Sequence, residues 1–287
     1  MANTSPGTAA VLRLEAASEA ALAELQQLVV DSHWNQLPAD WALFLSLGAV
    51  YAIHGNGRIV ASGAVLPMGP SAGTAAGVSW ISMILVTPSM RGRGLGRAVF
   101  ACCLEHVQAE GRIPMLDATP QGEALYTQFG FQAGWRFSRW RRQATDVVSA
   151  PLPAEVPLGV LAHMDQQALG FGRGALLAGL AGREGARCVG HGRACALLRL
   201  GRTAVQIGPL NAADERDGAE LLRAISATRQ EMLIIDVPHG RMRMEAALQA
   251  CGFAPERPFA RMSRAGGLQL PPAETAIVQA VAGPEYA

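Results

Sequence analysis

Two spacings alternate along this chain: short apolar runs bounded by Gly or Pro, which read as strands, and stretches with apolar side chains three and four apart, which read as helices. Residues 11–14 predict a first strand. Residues 16–30 predict a helix capped by Ser18, with Leu22, Leu25, Leu28 and Val29 on its apolar side. Residues 50–54 and 58–65 flank Gly55-Asn56-Gly57, a hairpin pattern. Residues 81–86 form a strand stopped by Pro88, and a helix follows over about 94–108 until Gly111 ends it. A strand at 113–118, a short helix at 123–128 and a strand at 136–142 complete an α/β domain with a mixed sheet. Residues 145–157, poor in charge and rich in Pro and Ala, read as a linker. Helical spacing returns at 164–180, strands at 190–198 and 202–207, a helix at 219–228, a strand at 232–237 and a helix at 242–250. The expected division is a first domain over 1–144, a second over 158–266 and a tail over 267–287. Residues 1–10 are expected to be a loose leader and 69–77 a small-residue loop.

The second half echoes the first. Leu85-Val86-Thr87-Pro88 aligns with Gln206-Ile207-Gly208-Pro209, Asp117-Ala118-Thr119-Pro120 with Asp236-Val237-Pro238, and Gly130-Phe131 with Gly252-Phe253. What differs is the glycine cluster. The first half has Arg91-Gly92-Arg93-Gly94-Leu95-Gly96 between strand and helix; the second has Asn211-Ala212-Ala213-Asp214-Glu215. Glycines that turn with positive φ leave amides unshielded at a helix N-terminus, which suits a pyrophosphate. Two carboxylates in the second copy would repel one.

With 50% hydrophobic and 16% charged residues, 287 positions suffice for two ordinary cores. A net charge of +1 makes no case for nucleic acid. No apolar run is long enough for a membrane span and no signal peptide is visible, so a cytoplasmic protein is expected. Five cysteines, odd in number, fit a reducing compartment. Cys188, His191 and Cys195 lack a fourth ligand at zinc spacing, so no metal is expected. The segment 31–41, with Trp34, Asn35 and Trp41, reads either as a core-plugging loop or as a substrate-facing wall, for which Trp34 and Asn35 are the candidates.

The strand, RGRGLG loop, helix and Tyr126-Thr127-Gln128-Phe129-Gly130-Phe131 resemble the GNAT superfamily of acyl-CoA-dependent N-acetyltransferases. Arg91, Gly94 and Gly96 meet its Arg/Gln-x-x-Gly-x-Gly/Ala signature; Tyr126, Gly130 and Phe131 meet the later Tyr-x-x-x-Gly-Phe. The whole chain resembles bacterial tandem-GNAT proteins with a degenerate second domain. The resemblance implies two tandem α/β (α+β) domains, each a mixed sheet flanked by helices. It implies acetyl-CoA, or a similar acyl-CoA, as donor, with Ile84, Leu85 and Val86 along the pantetheine arm. Arg91, Gly92, Arg93, Gly94, Leu95, Gly96 and Arg97 would surround the pyrophosphate, and Thr119 and Tyr126 would be further contacts to the acyl-CoA. A small-molecule primary amine would attack directly, with Tyr126 protonating the leaving thiolate. The strand before the loop offers no carboxylate, so the base is expected to be water, with Asp117 and Glu123 as other candidates. Asp117 and Asp236 are also candidate substrate contacts, although their sharing between the halves favours a structural role. Asp165, Phe171, Arg173 and His239 are further candidates for a wall formed by the second domain. A monomer or homodimer is expected. The competing reading is a non-catalytic acyl-CoA sensor or interaction protein.

Overall fold

The computed structural model describes residues 10–16, 18–69, 77–146 and 150–287. The leader over 1–9, most of the loop over 69–77 and the middle of the linker, 147–149, lie outside the described residues.

In the first half, β1 (Val11–Arg13) precedes α1 (Glu19–Asp31), where the Ser18 hydroxyl accepts from the Ala21 amide at 3.2 Å. The wall segment turns at His33 and then enters α2 (Pro38–Leu47), a helix started by its proline where a continuous loop is predicted. Trp41, fully buried, plugs the core. The hairpin joins β2 (Ala49–Gly55) to β3 (Arg58–Met68) through Asn56 and Gly57, both left-handed, the turn whose twist matches two antiparallel strands. There follow β4 (Val78–Val86), a short turn at Pro88–Met90, α3 (Leu95–Ala109), β5 (Ile113–Ala118), α4 (Pro120–Gln128) and β6 (Gln132–Arg142).

The second half has β7 (Ala154–Glu155), α5 (Leu158–Leu169), α6 (Gly174–Ala181), β8 (Arg187–His191), β9 (Ala194–Leu200), β10 (Val205–Ala212), α7 (Glu215–Ser226), β11 (Leu233–Pro238), α8 (Met242–Ala250), β12 (Ala254–Ser263) and β13 (Val278–Ala280). Three expectations change. The strand expected over 190–198 is a hairpin that reverses at Gly192, whose φ is positive. The end of the linker pairs with β8 as an edge strand. And β12 is a strand despite Pro255 and Pro258, because residues 254–259 pair only with β6, leaving one edge without ladder bonds to lose.

All the strands join one sheet in the order β1-β2-β3-β4-β5-β12-β6-β11-β10-β9-β8-β7, with β13 beside β10. The halves therefore exchange their last strands: β12 of the second half pairs with β5 of the first, and β6 pairs with β11. Contiguous domains over 1–144 and 158–266 describe the sequence repeat but not the sheet. The exchange carries a matched pair of buried ion pairs. Asp117 on β5 faces Arg261 on β12, and Asp236 on β11 faces Arg139 on β6. The shared aspartates thus hold exchanged strands.

Both repeats contain a wedge. Parallel pairing of β4 with β5 covers only Val78–Trp80 against Ile113–Met115, and that of β10 with β11 only Val205–Ile207 against Leu233–Ile235. Beyond those points the strands part. In the second half β13 fills the gap, antiparallel to β10 through Leu210 and Asn211, with Val281 bridging to Asp236. The expected tail is thus a core element. Tyr286 is fully buried and stacked on Phe44 at 5.3 Å, and its hydroxyl donates to Asp40 of α2. Arg173, held by Asp165 through two 2.7 Å bonds, donates to the carbonyls of Tyr286 and Ala287. Burying an aromatic of that size contributes about 2 kcal/mol, enough to dock a short segment with little periodicity of its own.

Candidate functional site

Among the described residues the first wedge has no strand in it. Its wall, β4, carries a bulge: Met83 has positive φ, the register with β3 slips between Ser62 and Ala64, and the Met83 carbonyl accepts from the Ser62 hydroxyl at 3.0 Å. Past the bulge Leu85 and Val86 pair with β3 on one edge and, among the described residues, have no strand on the other. An extended ligand can add there as a further strand would.

At the end of β4 the chain turns through Gly92 and Gly94, both left-handed, and Gly94 is the N-cap of α3. A Cβ at either position would meet nothing, so it is the backbone angle that selects glycine. The amides of residues 92–97 have no backbone acceptor, and the first turn of α3 contains no acidic residue. Arg91 reaches back to the Val86 carbonyl at 3.1 Å, Arg93 is exposed, and Arg97 bonds Gln128 at 2.8 Å over the Phe129 ring. Gly96 lets the helix approach Val86: an added Cβ would sit 3.4 Å from its methyl. Unpaired amides, a helix N-terminus and three arginines are an arrangement that suits an anion.

An open groove of ≈ 570 Å³ runs along Ile84, Leu85 and Val86, past Arg91 and Ser32, to Thr119. It adjoins an inner cavity of ≈ 90 Å³ inside the wedge. Trp34, Ile84, Thr119 and Arg257 line both. The inner cavity is also faced by Ser82, Tyr126, Asp117 and Glu285. Ser82 contributes a buried hydroxyl with no partner.

Tyr126 projects from α4 and packs on Phe100 at 4.6 Å. Burial, with a smaller push from Cys103, raises its phenol well above the ordinary 10, so at neutral pH it is a proton donor. Asp117 is different. Burial raises its carboxyl to about 6, with Arg261 opposing. Both its oxygens accept from Arg261, at 2.9 and 2.9 Å, and that guanidinium lies between Trp80 and Trp135. Breaking such a buried pair costs about 3–5 kcal/mol, which binds Asp117 to the strand exchange rather than to proton transfer. Glu123 is tied to Arg136 at 2.6 and 3.0 Å on the surface and does not line the cavity.

Of the residues singled out in the sequence, Ile84, Leu85, Val86, Arg91, Thr119, Trp34, Asp117 and Tyr126 line the two spaces, and the glycine loop lies beside them. Asn35 does not: its amide accepts from the Thr203 and Ala204 amides and donates to the Ala204 carbonyl, holding a turn of the second half. Asp236 is buried behind the wall, bonded to Arg139 and Gln206. Asp165, Arg173 and Phe171 belong to the packing under the C-terminal segment, and His239 bonds Ser138. Sequence reasoning missed Arg257, Glu285 and Ser82. Arg257 and Glu285 come from far along the chain, the first in a stretch of the expected second domain for which no element is predicted, the second in the expected tail. No grouping of three or more metal-ligating side chains occurs among the described residues.

Comparisons with known proteins place the chain in a family. Residues 15–131 match the acetyltransferase (GNAT) family model, and residues 161–277 match a second acetyltransferase (GNAT) domain model. The chain belongs to the GNAT family. Within it, this is a tandem GNAT protein, two such domains in one chain, and the chemistry of the class is acyl transfer. A candidate acetyltransferase from Pyrococcus horikoshii superposes with a TM-score of 0.78 at 18% identity, covering 100% of this chain and 99% of its own. A tandem GNAT protein from the clavulanic acid biosynthesis pathway gives 0.60 at 16% identity over 88% and 97%. A GCN5-related N-acetyltransferase from Sphaerobacter thermophilus gives 0.58 at 12% identity over 92% and 96%. At such identities the likeness is one of fold. No curated protein sequence matches. No helix among the described residues is long and apolar enough to cross a membrane.

Proposed function

We propose that this protein transfers an acetyl or other short acyl group from acyl-CoA to a primary amine of a small molecule, by direct attack when both are bound. The observation that carries the reading is the open wedge beside β4, which joins a strand-like groove and a glycine loop at one end to an inner cavity with a protonated phenol at the other. Acyl-CoA fits these residues: the glycine loop would hold the pyrophosphate, and the free edge of Leu85 and Val86 the pantetheine arm. In the reaction a nitrogen–carbon bond forms and the carbon–sulfur bond breaks. A backbone amide of β4 near Leu85 supports the developing oxyanion. Tyr126 gives its proton to the departing sulfur and is reprotonated from solvent, while the amine's surplus proton leaves to water. The small inner cavity favours a small acceptor over a protein side chain on a large surface.

Thiol release from acetyl-CoA in the presence of an amine panel tests this reading. Amine-dependent release is expected. Tight acetyl-CoA binding with no release on any amine would instead support a sensor, the reading that a β4 without a carboxylate leaves open.

A further inference from the structure

The charges around the inner cavity do not balance. Asp117 is matched by Arg261, Asp236 by Arg139, and Glu285 receives Arg199 on its Oε1 at 3.0 Å. One cation at this wall is left over. Arg257 lines both the cavity and the groove, and its guanidinium makes no hydrogen bond or ion pair to protein among the described residues. It stands over the Phe259 ring at 5.0 Å, and its Nε is buried without an acceptor. Its chain neighbour Glu256 is turned toward Arg141, at 2.7 Å. A partly buried guanidinium without an anion is costly, and its planar fork matches a carboxylate. The same cavity has one acidic vacancy. Asp117 and Asp236 commit both oxygens, but Oε2 of Glu285 accepts no hydrogen bond among the described residues.

The donor does not need Arg257. A pantetheine arm is uncharged, and the pyrophosphate has the glycine loop with Arg91, Arg93 and Arg97. With an uncharged acyl group such as acetyl, the spare anion comes with the acceptor. We infer that the acceptor is a free amino acid or a similarly small amino-carboxylate, its carboxylate on Arg257 and its amine toward Glu285. This rests on the acyl-transfer reading and narrows it to one substrate class.

The test uses matched pairs: alanine against ethylamine, phenylalanine against phenethylamine, lysine against cadaverine. Thiol release is followed with acetyl-CoA, and binding of each compound to CoA-saturated protein is followed by calorimetry. At least one amino acid should exceed its decarboxylated partner by tenfold or more in kcat/KM and bind measurably more tightly. Arg257→Gln should collapse that ratio to within twofold, chiefly through the KM of the amino acid, and leave the Kd of CoA unchanged. Arg257→Lys, which keeps the charge without the fork, should fall between and guards against a folding defect in the first variant. Glu285→Gln should weaken the amino acid while keeping the bond to Arg199. Equal use of both members of every pair overturns the inference, as does an Arg257→Gln variant that weakens CoA and preserves the ratio. If wild-type protein binds CoA but neither binds nor acylates any amino acid, the acceptor class is wrong. If it binds no CoA at all, the acyl-transfer reading itself has failed.

Discussion

Tyr126 and Asp117 face one cavity, and burial raises both, yet the consequences are opposite. A phenol pushed above its usual range keeps its proton at pH 7 and remains a donor. Tyr126→Phe should lower kcat by roughly a hundredfold, the scale of a lost general acid, while the calorimetric Kd for acetyl-CoA stays put. Unchanged turnover would exclude the role. Asp117, with a folded value near 6 against 3.8, holds its proton longer in the folded state than in the unfolded one. Its contribution to stability is complete below about pH 4 and is lost as pH rises through 6. The stability of wild type relative to Asp117→Asn, read from urea midpoints, should therefore shrink between pH 4 and 6 and level off above. A difference that grows over that range would contradict the assignment. The left-handed glycines of the loop and the helix that carries Tyr126 were legible in the sequence because turn and helix signals are local. Asn35 was misread because its partners, Thr203 and Ala204, lie across the molecule and leave no local mark.

Strands and helices were legible where one face is buried and the ends are punctuated: α8 falls where spacing puts it, and the Asn56-Gly57 hairpin follows from turn chemistry. β12 and β13 were not. Two prolines hid the first, and the second is three residues long and defined only by the gap it enters. That insertion has a measurable correlate. In the second wedge a peptide occupies the edge that stays open in the first among the described residues, and Asp214 caps α7 where the first half has glycine. Titration with acetyl-CoA should give one site per chain, not two. Gly94→Glu should abolish even that, since it strains a left-handed position and aims a carboxylate at the phosphates, with the circular dichroism spectrum unchanged. A second, weaker site surviving in that variant would refute the degeneracy of the second half.

For the whole molecule, the repeat in the sequence announced two copies but not how they interlock. Which strand pairs with which depends on contacts far apart in the chain, such as Arg139 with Asp236 and Asp117 with Arg261, to which periodicity is blind. The apolar core is shared as well: Trp41 and Phe44 belong to one buried cluster with Leu176, Leu180 and Tyr286. Heating should produce a single transition in scanning calorimetry; two resolved peaks would mean that the halves melt independently. The traded strands also mean that neither half is self-sufficient. Cleaved in the connector between β6 and β7, the polypeptide should yield pieces that are unstable apart and reassemble on mixing, like the fragments of a split reporter.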